Sequence, residues 1–514
     1  MKDKTPLRPV FLVLVVFWMA GLACSLEAPT PAAWALTPTA RSIEESATAF
    51  AATQQAENVP LDTLTPSETP TPMAATATAP ASGLQPAGPW LVYTTDEGKG
   101  LALLNVDGSG RTSIPISPLL DVRDLQDGLS PQGSWLAVRT RQALDNYGLN
   151  LDLIHLPDGK IERITPLVSP DLPERAKSAP NSHPEEALKA VAEPGGLRWS
   201  PDGRYLAFIA VIEGISSDLY LYDMQTKKIK RLTSGSSQVA TPSWSPDGNW
   251  LVVQEVESFG DGQAWKVSNV WGNKMTYPEV RELYIPSSTS GGEVFLGWTA
   301  LDKMLVYSRN TTGGFSIRLV DLEKLKVSNI YPGSFDEVSY DPQSKTLAFI
   351  FNEKVGVKTD QVPGLYLMQV DETTPRLAQA GEWHHLNWQP LLGVFTATGP
   401  QGALAVALEG TLNLVKGEAS AVLSPNKSWQ ACFAGGSSVS PGVRLYKAGG
   451  ELMQTISRDP TSSLVWQPDS NGFFFLANDQ LFLDTFPKFQ PQVVDANVRQ
   501  GSASYLDWLY LPRR

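Results

Sequence analysis

The pentapeptide Trp-Ser-Pro-Asp-Gly occurs twice, at 199–203 and 244–248, and worn copies of the same phrase recur along the chain. With its hydrophobic tail the phrase reads LSPQGSWLAV from Leu129, WSPDGRYLAF from Trp199, WSPDGNWLVV from Trp244, YDPQSKTLAF from Tyr340, LSPNKSWQAC from Leu423 and WQPDSNGFFF from Trp466. Two copies are more eroded, GWTALDKMLVY from Gly297 and LNWQPLLGVF from Leu386. Successive anchors fall roughly 35 to 70 residues apart, mostly near 45, the period of a four-stranded propeller blade.

The phrase has a mechanical reading. Ser at the first position, Pro at the second and Gly at the fourth are the preferences of a type I turn, in which Pro presets φ and the Ser side chain bonds into the turn. One strand therefore ends at the aromatic and the next begins after the Gly. Leu206 to Ile209 and Leu251 to Val253 are unbroken apolar runs, as strands covered on both faces require. A third strand follows as DLYLYD from Asp218 and a fourth as KIKRLT from Lys228; FSIRLVDL from Phe315 and GLYLMQVD from Gly364 keep the third strand's register.

The run WSPDGRYLAF, then SDLYLYD, then RLT resembles the repeat of TolB-like β-propellers, distant relatives of WD-repeat propellers. The resemblance extends from near Trp90 to the C-terminus. It implies an architecture and brings no catalytic residues. TolB has a small α/β domain before its propeller, where this chain has a polar linker, so TolB's partners do not transfer.

The ends predict how the ring closes. WLVYTT from Trp90 and LALLNV from Leu101 have no turn phrase before them, and SYLDWLYL from Ser504 has no blade after it. The last strand is therefore expected to complete the first blade and remove a free sheet edge. Eight anchors plus that closing blade make nine, above the usual range for propellers. The interval from Pro390 to Pro425 is also short for four strands. The expectation is an all-β fold, one propeller of seven or eight four-stranded blades, with a worn copy belonging to a neighbouring blade.

Ahead of the propeller, assigned to 88–514, two segments differ in composition. Residues 1–23 carry Lys2, Lys4 and Arg8 before an apolar stretch from Val10 to Ala20, the pattern of a secretory signal peptide. Cys24 behind Ala20-Gly21-Leu22-Ala23 resembles the lipidated cysteine of bacterial lipoproteins, with Gly21 and Leu22 departing from the usual residues. That resemblance implies a lipid anchor at Cys24 and an extracytoplasmic propeller, in the periplasm or on the cell surface. Residues 24–87 are rich in Thr, Ala, Pro and Ser, a disordered linker with about 45 Å of typical reach.

Net charge is -12 and pI near 5.0, which argues against nucleic acid as a partner. With Cys24 lipidated, Cys432 is left as a buried thiol. The four His, at 155, 183, 384 and 385, form no zinc signature, and no Gly-x-Ser-x-Gly elbow is present. Adjacent strand residues point to opposite faces, so His384 and His385 are expected not to share an ion. The run from Asn105 to Gly110 lacks a calcium loop's later Glu and reads as a hairpin turn. No metal, cofactor or catalytic residue is therefore assigned.

Trp199, Trp244, Trp298, Trp388 and Trp466 share one repeat position and read as core. Residues 256–293 read as an insertion, and its Trp265, Trp271 and Tyr277 are the candidate ligand-binding residues, since aromatics on propeller loops stack on sugars or peptide groups. A second insertion, 166–196, contains PEEALKAVAE, a short helix bounded by Pro184 and Pro194. The expected function is binding of a protein, peptide or glycan without catalysis. The alternative is an exported propeller enzyme, a hydrolase or lyase acting on glycans through channel carboxylates.

Overall fold

A computed structural model describes residues 84–510 except 86–87, 143–147, 180–183, 236, 260–263, 276–279, 285–292, 310–314, 334, 353–360, 401, 408–409, 414–419, 436–437, 439–440, 449 and 500–503. The signal segment, Cys24 and nearly all of the linker lie outside the described residues. Among the described residues the strands form nine four-stranded antiparallel sheets, the blades of one propeller. Blade 3 is typical: Leu197–Trp199 is innermost, followed outward by Tyr205–Ala210, Asp218–Asp223 and Lys228–Arg231.

The turn phrase folds as its residues dictate. Gly203 N donates to Ser200 O at 2.8 Å, Ser200 Oγ accepts from Tyr205 N at 2.9 Å and donates to Asp202 Oδ1 at 2.6 Å. The Ser245 turn repeats these bonds. Gly248 has φ 74° and its missing Cβ would sit 3.3 Å from Pro201, so glycine there serves both conformation and the packing of neighbouring turns. The anchor indoles also link blades: Trp199 Nε1 donates to Gly128 O, Trp244 Nε1 to Arg198 O and Trp466 Nε1 to Val422 O, each in the preceding blade.

The blade count corrects the expectation of seven or eight. Both eroded copies build complete blades, Glu293–Gly333 as blade 5 and His384–Asn413 as blade 7. The short interval suffices because blade 7 is tightly turned: Gly399 pairs with Gly402 and Ala407 with Gly410. A Cβ on Gly399 would lie 2.2 Å from Glu382 O, so glycine permits the close approach of the second strand to the entry of the inner one. Erosion of the turn phrase removed the sequence signal while leaving the strand pairing.

Closure is as expected. Leu506–Leu509 forms the innermost strand of blade 1, pairing Trp508 with Leu91 and Leu506 with Tyr93. Trp508 Nε1 reaches back to Trp466 O at 2.7 Å, and Tyr93 Oη and Arg111 Nε both donate to Asp495 of blade 9 at 2.8 Å. Segment 166–196 forms helices α1 (Leu172–Lys177) and α2 (Pro184–Ala192), and α2 buries Ala187, Leu188 and Val191 in the core shared by blades 2, 3 and 4.

Candidate functional site

One inner strand is broken. In blade 2, Asp121 pairs with Arg139, and the strand resumes where Gly128 O accepts from Ala137 N at 2.7 Å. Residues 122–127 thus stand opposite the single residue Val138, and 122–124 coil into a 3-10 turn. A Cβ on Gly128 would lie 2.0 Å from Ala137 O, which makes glycine necessary at the return. Such a bulge re-aims side chains away from the sheet.

The bulge and α2 interlock through charge. Asp121 Oδ1 accepts from Arg123 Nε at 2.8 Å, and Arg123 reaches Ala192 O. Asp124, buried, accepts from Gly195 N at 2.5 Å and pairs with the equally buried Arg139. Arg139 also donates to Val191 O, and to Glu193 O at 2.7 Å. Two guanidiniums therefore satisfy the open carbonyls at the C-terminal end of α2, where the helix dipole favours cations. Burial raises the Asp124 carboxyl despite Arg139; burial also acts on Asp121, but Arg123 and Arg139 hold it below its ordinary value.

Toward solvent the bulge bridges two neighbouring inner strands. Asp127 pairs with Arg198 Nη1 of blade 3 at 2.5 Å, both about a third exposed (32% each). Gln126 Nε2 donates to Asp507 of blade 1, which also accepts from Trp508 N at 2.7 Å. Burial pushes the Asp507 carboxyl up to about 6. Burial first, then the charges of Asp507 and Asp127, raise the Tyr505 phenol well above its ordinary value. The mouth of blades 1 to 3 thus presents one guanidinium, two carboxyls, an amide and a phenol.

A second polar group lies where blade 6 meets blade 7. Glu337 accepts from His385 N at 3.0 Å and Leu386 N at 2.7 Å, and His385 has φ 56° at a bulge in its strand. The bulge breaks the alternation assumed for His384 and His385, whose ring centroids are 6.4 Å apart. Among the described residues no group of three His, Cys, Asp or Glu is placed to hold a metal.

The family model described as the TolB beta propeller domain matches residues 189–392. A segment of 55 residues, 11% of this chain, is 33% identical to the Tol-Pal system protein TolB of Alcanivorax borkumensis, covering 13% of that protein. The propeller is TolB-like. The uncharacterized peptidase YuxL of Bacillus subtilis is 39% identical over 87 residues, 17% of this chain and 12% of its own. The chain therefore spans about an eighth of the length of these two curated relatives. The crystal structure of TolB from Acinetobacter baumannii aligns with 58% of this chain and 66% of its own at 16% identity, with a TM-score of 0.29.

Within the TolB-like propeller the sequence-predicted aromatics fall differently from expectation. Segment 256–293 does not interrupt the repeat: it carries the second strand's end, the third strand Ala264–Met275 and the fourth, Val280–Tyr284, of blade 4. The long strands read as an insertion because they exceed the usual blade. Trp271 pairs with Val253 inside the blade, whereas Trp265 pairs with Ser258 in the part of the hairpin that runs past the inner strand. Of these two residues only the backbone is described, and Tyr277 lies outside the described residues.

Sequence reasoning passed over Gln126, Asp127, Arg198 and Asp507. One signal was available: Asp507 is an acid inside the apolar closing strand SYLDWLYL, and 121–127 has no strand alternation.

Proposed function

We propose that the chain is an extracytoplasmic propeller, lipid-anchored at Cys24, that binds a protein, peptide or glycan at the mouth of blades 1 to 3 without turning it over. The supporting observation is that the carboxyls at the mouth and behind it already have partners. Asp121, Asp124 and Asp127 each face an arginine, and Asp507 is held by Gln126 and Trp508 N. The partly exposed Asp127–Arg198 pair is the exchangeable part: a ligand carboxylate or hydroxyl replaces one partner while the buried pairs behind it keep the site in shape. Trp265, on the extended hairpin of blade 4, is proposed to add a stacking surface.

The enzyme reading rests on a different feature, the Asp507 carboxyl near neutrality beside Tyr505 and Asp127, which is how a proton donor is tuned. Peptide and glycan arrays probed with the full chain and with Arg198→Ala decide between them. Binding lost in Arg198→Ala, with bound glycans recovered intact, is the expected result. New reducing ends or unsaturated sugars, abolished by Asp507→Asn, select the enzyme reading. For the anchor, Cys24→Ser is expected to abolish lipid labelling, and intact labelling refutes it.

A further inference from the structure

The anchor register places one third-strand side chain of each blade against the preceding blade. Through the pairs Trp199↔Leu206↔Tyr222 and Trp466↔Phe473↔Asp484, Asp484 of blade 9 matches Tyr222 of blade 3. The same position holds Ile154, Val320, Met368, Val406 and Tyr446 in blades 2 and 5 to 8. Polar side chains occur there in blades 4 and 9 alone among the described ones: Asn273, 1% exposed, and Asp484, 0% exposed. Neither makes a side-chain hydrogen bond.

Asp484 lies on the face of Trp466 and Phe473, whose core includes Ala431, Phe433, Val443 and Leu445 of blade 8. The elements packed around it bring no counter-charge. Gly472–Ala477 of its own blade and Trp429–Ala434 and Leu452–Ser457 of blade 8 carry no ionised side chain; the Cys432 thiol lies on the opposite face from Ala431. Asp495 on the outer strand is engaged by Tyr93 and Arg111. On the third strand of blade 8, Arg444 shares the opposite face with Cys432, and Lys447 Nζ bonds Glu451 at 2.9 Å. The Thr485 N–H is the one polar group close enough to favour its ionised form, and burial pushes the carboxyl up to about 6. An uncompensated carboxylate in an apolar interior is expelled or neutralised.

We propose that Asp484 is a protonation-controlled clasp: with its carboxyl neutral the seam between blades 8 and 9 closes around it, and its ionisation loosens that seam. Because the folded-state value lies above that of the unfolded chain, about 4, the contribution is intact in acid and is lost as pH rises through 6. Between pH 5 and pH 8 the unfolding equilibrium is expected to shift about tenfold through this group.

The test compares urea unfolding of the full chain with Asp484→Asn, Asp484→Leu and Asn273→Leu at pH 5 and pH 8. The gap between wild type and either Asp484 variant is expected to widen about tenfold at the higher pH, with Asn273→Leu shifting equally at both. Asp507, which titrates in the same range, is common to all four proteins and cancels in the gaps. A gap independent of pH overturns the proposal, as does one shared by Asn273→Leu.

Discussion

Between blades 2 and 4 the propeller is joined by one continuous core, in which Leu206, Phe208 and Leu251 are fully buried and α2 adds Ala187, Leu188 and Val191. Between blades 7 and 8 the described buried core narrows to Val394, Ala405 and Leu423. The thick seam is also the irregular one, carrying both helices, the broken inner strand and the Asp124–Arg139 pair. A site that must hold charges in fixed positions needs this backing, since bulges and inserted segments remain in one geometry only when surrounding packing determines them. Among the described residues the thin seam carries no helix and no buried ion pair.

Opening the ring should erase the difference altogether. Deleting residues 504–514 removes Leu506, Trp508 and Leu509, each buried, at about 1.5 to 3 kcal/mol for each large side chain. The truncated chain is expected to unfold at a clearly lower urea midpoint or to aggregate, and wild-type stability would refute the closure.

That closure was legible before the structure, because two unmatched half-blades at the ends of a repeat have one economical solution. The turns were legible because Ser, Pro, Asp and Gly act within a few residues of one another. The nine-blade count was less legible, because nine exceeds the usual range, the interval from Pro390 to Pro425 is short for four strands, and the copies at Trp298 and Trp388 keep strand pairing with a worn turn phrase. The mouth was not legible: Gln126 and Asp507 meet across 381 positions of sequence, and nothing local to either specifies the other. Residues 256–293 resemble an insertion for a related reason, since blade 4 lengthens its hairpin and the extra length hides the blade's period.

The next largest effect belongs to the thick seam. Asp124→Ala leaves Arg139 buried beside Asp121 and the carbonyls of 191 and 193, and breaking a buried pair costs about 3 to 5 kcal/mol. Urea unfolding measures this, and a loss below about 1 kcal/mol would show that the pair is not what fixes α2 to the bulge.

A paired truncation sharpens the contrast between seams. Leu206→Ala is expected to cost about 4 kcal/mol and Leu423→Ala about 2 kcal/mol, because the tightly surrounded site relaxes less around its cavity. Equal costs would mean that the narrow core at blades 7 and 8 is as well packed as the broad one.

The smallest effect is pH-linked. Asp507 has its folded-state carboxyl raised to about 6, so its contribution is complete in acid and falls as pH rises through that value. Asp507→Asn is expected to recover on the order of 1 kcal/mol at pH 8 and almost nothing at pH 4. A recovery of the same size at both pH values would assign the effect to packing.

The central claim is that recognition resides at the irregular mouth, and titration of the best array ligand into wild type and Arg198→Ala tests it most directly. Arg198 is a partly exposed member of an ion pair, so its removal is expected to change stability by under about 1 kcal/mol. Affinity should fall by at least about tenfold if its guanidinium anchors the ligand. Unchanged affinity in a variant of unchanged stability would contradict the account and move the search to Trp265.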